Sequence, residues 1–308
     1  MIRRAYHPRA VVQALFVVFL WATSWVLIKI GLEEIPALTF AGLRYTLAFL
    51  CLLPVVLLSG QLSSLGSISR RTWGRLLILG LLLYAITQGA IFVALAYLPA
   101  VTVNLLWSFS SVTVALMGIV WLAERPTRFQ WLGVGLATLG AVIYFCPVAL
   151  PTSQLFGVLV SVLGVLANAG ASILGRAVNR AGDMHPLVVT VISMGIGSIV
   201  LLATGVAVQG LPEIGIKGWA IIAWLAVVNT AFAFTLWNHT LRTLSATESS
   251  IINGTMLIWI PVLAVLFLHE RVTAKEAFGL AVAGVGMLIV QLRQPQIVTR
   301  LLRRQPVR

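Results

Sequence analysis

The chain has 308 residues, of which 60% are hydrophobic and only 9% are charged, and its mean hydropathy is +1.02. Soluble domains carry about 25% charged residues, so this composition excludes a soluble globular protein. The net charge of +13 is therefore interpreted as a sign of topology and of contact with anionic lipid headgroups, and not of nucleic-acid binding.

The few charges stand between apolar stretches of roughly 20 residues, the length of a helix that crosses about 30 Å of hydrocarbon. Backbone in lipid must satisfy its own hydrogen bonds, and these stretches are too long and too uniformly apolar for barrel strands. The sequence therefore predicts an all-α integral membrane protein with ten transmembrane helices. In chain order the predicted spans are 11–29, 38–58, 76–96, 101–122, 131–149, 155–174, 187–208, 219–239, 249–268 and 277–292.

The basic N-terminal segment MIRRAYHPRA precedes an apolar run that is too long for a signal peptide and lacks a small-x-small cleavage site, so we expect an uncleaved first helix. Lys and Arg near helix ends stay in the cytoplasm. If both termini lie there, 16 of the 21 Lys and Arg residues fall on that side and four, Lys29, Lys217, Arg271 and Lys275, on the other. We therefore expect both termini to be cytoplasmic.

A short charged string occurs twice, as LAERPT at 122–127 and as LHERVT at 268–273. At the same offset of 146 positions, the residues Leu98, Ala100, Gly133, Ala137, Gly140 and Ile143 recur as Leu244, Ala246, Gly279, Ala283, Gly286 and Ile289. This register predicts an internal duplication. Thr127 and Thr273 suit helix N-caps, the Glu-Arg pairs are expected to tie their turns to neighbouring loops, and the small residues allow close helix packing.

Each half holds five predicted spans, and because five is odd the second half enters the membrane inverted. The predicted units are a first repeat at 1–150, an inverted second repeat at 151–295 and a basic cytoplasmic tail at 296–308. Inverted repeats with a midplane binding site are the plan of many secondary transporters.

The ten spans, the repeated Glu-Arg-x-Thr string and the segment TSWVLIKIGLEEIPALTFAGLRY at 23–45 resemble the EamA-type branch of the drug/metabolite transporter superfamily. The resemblance covers essentially the whole chain. It implies a multi-pass carrier of the plasma (inner) membrane, most often an exporter of amino acids or other small metabolites, with a central cavity and alternating access.

Polar and aromatic residues at midplane depth are the candidates for a substrate site, because burying them in lipid is costly unless they face protein or water. Tyr84 and Gln88, and Asn104 and Ser108, are four residues apart and are expected to share helix faces. The candidates are Trp21, Trp25, Tyr84, Gln88, Asn104, Trp107, Ser108, Ser111, Asn168, Asn229, Asn253 and Trp259. Interhelical packing, with Asn and Ser as polar contacts between helices, is the alternative role for each.

Arg44 is the one charge placed well inside a predicted span. Two roles stay open: it receives a substrate carboxylate, or it is structural, reaching outward or bonding helix-end carbonyls. Pro261 is expected to kink the ninth span, and whether that kink is a gating hinge is also open.

The sequence favours a carrier over an enzyme, since no nucleophile with a base and no paired carboxylates lie at matching depth. Cys51, Cys146 and four His form no metal pattern, no nucleotide loop is present, and no cofactor is expected. No span carries a midplane Asp or Glu, which argues against cation coupling. Amino-acid export is the expected function, and export of another small metabolite, a drug or a metal-chelating compound is the alternative. The expected partners are a small-molecule substrate and membrane lipids, and a monomer and a homodimer are equally compatible with the sequence.

Overall fold

The structure is a computed structural model that describes residues 8–58, 68–122, 127–146, 152–182, 184–244 and 246–292. Within these ranges the regular structure is helical throughout, as the composition predicts. The basic segments at 1–7 and 293–308, together with Glu124 and Arg125 of the first charged string, lie outside the described residues.

The first half of the chain folds into seven helices, two of which are joined by a π-helical segment (Leu81–Thr87). They are α1 (Pro8–Gly31), α2 (Ala37–Leu58), α3 (Arg70–Gly80), α4 (Gln88–Tyr97), α5 (Ala100–Ser108), α6 (Ser110–Leu122) and α7 (Arg128–Phe145). The π segment makes α3 and α4 one continuous rod from Arg70 to Tyr97.

The second half also folds into seven helices, again with one π-helical segment (Val227–Phe232). They are α8 (Thr152–Ala181), α9 (Pro186–Gln209), α10 (Ile216–Ala226), α11 (Ala233–Thr240), α12 (Ala246–Gly254), α13 (Met256–Leu268) and α14 (Ala274–Leu292). Here the π segment joins α10 to α11.

Among the described residues, eight helical rods are long and apolar enough to cross a membrane. They coincide with eight of the ten predicted spans. The fourth predicted span, 101–122, is divided between α5 and α6. The fifth, 131–149, is covered by α7 as far as Phe145. The multi-pass helical fold is thus confirmed, and the count of ten remains a prediction.

The two π segments occupy equivalent positions, because the offset of 146 takes Leu81 onto Val227. Each widened turn frees a backbone carbonyl that a threonine hydroxyl five residues later satisfies. Thr87 Oγ1 donates to the Leu82 carbonyl at 2.6 Å, and Thr230 Oγ1 donates to the Leu225 carbonyl at 2.8 Å. π turns of this kind are frequent at functional sites.

Two helix breaks show the same correspondence. The fourth span is interrupted at Phe109, between α5 and α6, and the ninth at Thr255, between α12 and α13, which is the same offset. Pro261 lies inside α13, after this interruption, and the kink expected there stays a prediction. Gly254 immediately before Thr255 lacks a side chain to hold the helix, which favours a break there.

The repeated small residues pack against one another where α7 crosses α14. A Cβ added at Gly133 would meet the carbonyl oxygen of Gly286, and one added at Gly279 would meet that of Gly140. Adding 146 to the number of Gly133 gives Gly279, and subtracting 146 from that of Gly286 gives Gly140, so the first contact corresponds to the second. A pseudo-twofold axis between two halves would require such a pair of contacts. The close approach predicted from small-xxx-small spacing is confirmed.

The predicted helix caps are also confirmed. Thr127 forms a capping box with Gln130 at the start of α7. In the second half the Thr273 backbone N–H donates to Glu276 Oε2 at 2.7 Å, and the Glu276 N–H donates to Thr273 Oγ1 at 3.2 Å.

Glu270 of the second charged string ties its turn to the other half of the chain, as expected. The backbone N–H groups of Ala100 and Val101 donate to its two carboxylate oxygens at 2.6 and 3.1 Å. A carboxylate at the start of α5 satisfies free N–H groups and complements the positive end of the helix dipole.

Candidate functional site

A cavity of about 1680 Å³ lies between the two halves of the chain. Its walls come from α1, α2, α4, α5 and α6 of the first half and from α8, α11, α12, α13 and α14 of the second. The volume exceeds that of typical small-ligand pockets, about 300–1000 Å³, so the cavity can hold a metabolite together with water.

Most of the side chains proposed from the sequence meet at this cavity. Those that line it are Trp21, Trp25, Arg44, Gln88, Asn104, Trp107, Ser108, Ser111, Asn168 and Asn253. They come from seven different helices, so the fold brings them together from distant parts of the chain.

Three candidates are placed elsewhere. Asn229 is fully buried, and its side-chain amide donates to the Leu20 carbonyl and to the hydroxyls of Thr23 and Ser24 at 3.1 and 2.8 Å. The structure thus gives Asn229 the alternative role, a polar contact that joins α1 to the π segment.

Tyr84 and Trp259 also lie outside the lining of the large cavity. Tyr84 is 2% exposed, packs against the Tyr45 ring at 5.8 Å and borders a separate cavity of about 200 Å³. Trp259 packs edge-on against Phe19 at 5.4 Å and is 37% exposed.

Several lining residues were not among the candidates. Tyr45 follows Arg44 directly and donates a hydrogen bond from its hydroxyl to Gln88 Oε1 at 2.6 Å. Gln291 and Met287 show that α14 also contributes to the wall. The position of Tyr45 beside a midspan arginine was a signal that could have found it, whereas the face that α14 presents depends on its packing against α7.

Aromatic side chains form one wall. The Trp21 ring lies 5.2 Å from that of Trp237 and 5.4 Å from that of Phe234. Trp107 packs on Gly164 of α8, where an added Cβ would lie 2.7 Å from the indole ring. These rings offer flat apolar surfaces to a ligand.

Both helix breaks open onto the cavity. Ser108, Ser110 and Ser111 surround the first break, and Gly254 and Thr255 form the second, and all of them line the cavity. Asn168 Nδ2 donates to Ser110 Oγ at 2.6 Å, which fixes the first break against α8.

The charge of the cavity is positive. Arg44 is 5% exposed, and its Nε donates to Thr230 Oγ1 at 3.2 Å. Arg176 lines the cavity toward the end of α8. Among the described lining residues there is no Asp or Glu, so the cavity offers no protein carboxylate to a cation.

Two polar contacts lie near the end of the cavity that reaches Val272. Lys29 Nζ donates to the carbonyls of Leu95 and Leu98 at 2.6 and 2.7 Å, at the end of α4, while Glu270 holds the start of α5 just beyond. At the opposite end the lining continues to Leu241 and Leu244, next to the turn between α11 and α12. In the predicted orientation the end near Lys29 and Glu270 is outer, and the end near Leu241 and Leu244 is cytoplasmic.

Metal binding has no geometric basis in the described part of the chain, which contains no group of three or more His, Cys, Asp or Glu side chains able to hold an ion. Cys51 and Cys146 are free thiols, Cys51 partly buried and Cys146 exposed.

A multi-pass helical fold with a large central cavity between two corresponding halves is typical of membrane transport proteins. The particular family follows from comparison: the model of the EamA-like transporter family matches residues 8–146 and 155–292. The chain belongs to this family and is a membrane transporter, not an enzyme.

Relatives agree with this assignment. The uncharacterized transporter YvbV of Bacillus subtilis (strain 168) is 26% identical, over 90% of each chain. The uncharacterized inner membrane transporter YedA of Escherichia coli (strain K12) is 24% identical, over 82% of this chain and 80% of its own. A probable amino-acid metabolite efflux pump of the same strain is 25% identical, over 90% and 93%. A solved crystal structure has a similar fold, with a TM-score of 0.66 at 16% identity, covering 92% of this chain and 98% of its own.

Proposed function

We propose that this chain is an inner-membrane carrier that exports small metabolites, and in the first place amino acids, by alternating access. The observation that carries the proposal is the meeting of two interrupted helices, one from each half, at a single central cavity. Secondary transporters place their substrate sites at such discontinuous helices, because the freed backbone groups can bind a polar ligand.

Alternating access needs two halves that can exchange roles. The matched π segments, the matched breaks at Phe109 and Thr255, and the reciprocal contacts of Gly133 and Gly140 with Gly286 and Gly279 support two repeats, 1–150 and 151–295. Inversion of the second repeat and cytoplasmic termini are part of the proposal. Lys29 and Glu270 then lie at the outer end of the cavity, and Leu241 and Leu244 at its cytoplasmic end.

Amino acids suit the lining. The rings of Trp21, Trp107 and Trp237 can hold an apolar side chain, while Asn, Ser and Gln side chains and Arg44 can bind a zwitterionic head. The described lining lacks a carboxylate, so it does not favour cationic drugs. The similarity to a probable amino-acid metabolite efflux pump points the same way. Another small metabolite, a drug or a metal-chelating compound is the alternative substrate.

The test is counterflow in proteoliposomes loaded with unlabelled amino acids, following entry of a labelled one. Trp107→Ala removes an aromatic wall, and Trp131→Ala is the matched control, since Trp131 is 54% exposed on α7 and does not line the cavity. A lost ring contact of about 1.5 kcal/mol corresponds to roughly tenfold weaker binding. We therefore expect saturable exchange with KM raised about tenfold in Trp107→Ala and unchanged in Trp131→Ala.

Equal traces in protein-containing and empty liposomes would reject amino acids and direct the assay to the alternative substrates. Exchange with the same KM in both variants would retain the carrier function and reject the role assigned to Trp107.

A further inference from the structure

Arg44 is a buried cation whose hydrogen-bonding capacity is largely unused. Its guanidinium carries five N–H donors, and one of them, on Nε, is bound to Thr230 Oγ1. The guanidinium carbon lies 5.1 Å from the centre of the Tyr45 ring and 5.9 Å from that of Phe92. In the described part of the chain no oxygen accepts from the two terminal nitrogens.

The structural roles open to an arginine at this depth do not match its contacts. An outward-reaching side chain would be exposed, and Arg44 is 5% exposed. A side chain that bonds helix-end carbonyls would resemble Lys29, whose amine reaches two of them. Arg44 instead bonds a side chain of the other half of the chain and faces the cavity.

Among the described residues, no carboxylate forms an ion pair with this charge. Glu270 is engaged with the start of α5 and Glu276 with the cap of α14. The described cavity lining has no acidic residue. A buried charge without a counter-charge is strongly unfavourable, so an anion that enters the cavity gains a partner that is already in place.

The surroundings of Arg44 suit a carboxylate that carries an apolar body. Tyr45 donates to Gln88 Oε1, which leaves the Gln88 Nε2 group as a further donor in the lining of the same cavity. Ile28 and Ile91 line the cavity along with the aromatic wall. The planar fork of an arginine binds a carboxylate through two parallel hydrogen bonds.

We propose that Arg44 binds the carboxylate group of the substrate, so that the cavity selects organic carboxylates with an apolar body. This inference rests on the carrier function proposed above and names its substrate class. This substrate class includes apolar amino acids and also carboxylates that lack an amino group.

The test uses a pair of probes that differ in the carboxylate alone, 3-phenylpropionate and 3-phenylpropionamide. Binding to the purified wild-type protein is measured by calorimetry and by ligand-induced thermal stabilisation. Hydrogen bonds to charged groups contribute about 1.5–3 kcal/mol, which corresponds to roughly 10- to 100-fold in affinity. We expect the carboxylate to bind tighter than the amide by that factor.

Arg44→Gln should abolish this discrimination and Arg44→Lys should reduce it. Arg242→Gln is the matched control, because Arg242 is exposed outside the cavity and its substitution removes the same charge, so discrimination should persist. If Arg44→Gln does not fold, Arg44→Lys is measured in its place, and Arg176→Gln, which removes the other arginine of the lining, should leave the discrimination unchanged.

Equal binding of both probes, or binding of neither, would overturn the inference. So would stabilisation by chloride alone, which would indicate an inorganic anion site. Failure of the function proposed above is distinguishable from failure of this inference. If the protein exchanges no amino acid but binds 3-phenylpropionate more tightly than the amide, amino acids are rejected as substrates and the carboxylate site is retained. Amino-acid exchange without preference for the acid would retain the carrier function and reject the carboxylate site.

Discussion

The crossing of α7 and α14 allows a sharp test of packing, through the substitution Gly133→Ala. The added Cβ would lie 2.7 Å from the Gly286 carbonyl oxygen, 2.8 Å from Val290 Cγ2 and 2.9 Å from Val290 N. Two of these three atoms belong to the backbone and cannot rotate away. Carbon contacts are most favourable at about 3.5–4.0 Å, so α14 must shift to accept the methyl group.

The magnitude follows from two opposing terms. Forcing an extra carbon into a packed interface costs about 1–3 kcal/mol. Replacing glycine by alanine inside a helix stabilises the folded state by up to about 1 kcal/mol. We therefore expect Gly133→Ala to lower the free energy of unfolding by about 1–2 kcal/mol.

Gly135 supplies the matched control, since it lies on the same helix and has no atom within 4 Å of an added Cβ. Gly135→Ala should leave stability unchanged or raise it by up to about 1 kcal/mol. Gly279 is the repeat counterpart of Gly133, and a Cβ there would lie 2.8 Å from both Gly140 O and Tyr144 N. Gly279→Ala should therefore destabilise about as much as Gly133→Ala.

The assay is thermal unfolding of the detergent-purified protein, with size-exclusion chromatography of each variant. The expected order of midpoints places Gly135→Ala at or above wild type and both Gly133→Ala and Gly279→Ala below it. Equal midpoints for Gly133→Ala and Gly135→Ala would refute the packing argument.

Two further predictions concern the ends of the helices. Glu270→Gln removes the negative charge that accepts hydrogen bonds from Ala100 and Val101, so it should lower the free energy of unfolding by about 0.5–1 kcal/mol. The control is Glu213→Gln, at an exposed loop residue, which should leave the unfolding temperature unchanged. Equal shifts in the two variants would contradict the capping role of Glu270. The proposed orientation places Lys275 outside the cell and Arg242 in the cytoplasm. In a cysteine-free background, Lys275→Cys should therefore react with a membrane-impermeant maleimide in intact cells, and Arg242→Cys should react only after permeabilisation. The opposite pattern would reverse the proposed orientation.

The positions of the helices were predictable because the length of an apolar run is set by membrane thickness, a quantity that does not depend on tertiary contacts. The caps at Thr127 and Thr273 were predictable for a similar reason, since a capping box is local. The break at Thr255 was not. Proline is the strongest local signal for an irregular helix, yet Pro261 lies inside α13.

For the residues of the candidate site, the sequence predicts depth in the membrane but not the direction in which each side chain points. Depth in the membrane follows from position along the helix, and most residues placed at midplane depth do line the cavity. The face of the helix depends on rotation, which packing decides. Tyr84 and Gln88 were expected to share a face, but the π segment from Leu81 to Thr87 lengthens the turn between them, so Gln88 faces the large cavity and Tyr84 the small one.

Lys29 and Arg44 have different contacts, which is why we propose a structural role for Lys29 and a binding role for Arg44. Both lie inside helices that are long and apolar enough to cross the membrane. Lys29 lies near the end of α1 and finds two carbonyls at the negative end of the α4 dipole. Arg44 lies further from the ends of α2 and finds one hydroxyl. The two residues differ in the number of acceptors within reach, and the proposed carboxylate would accept from two of the four N–H donors that Arg44 leaves free.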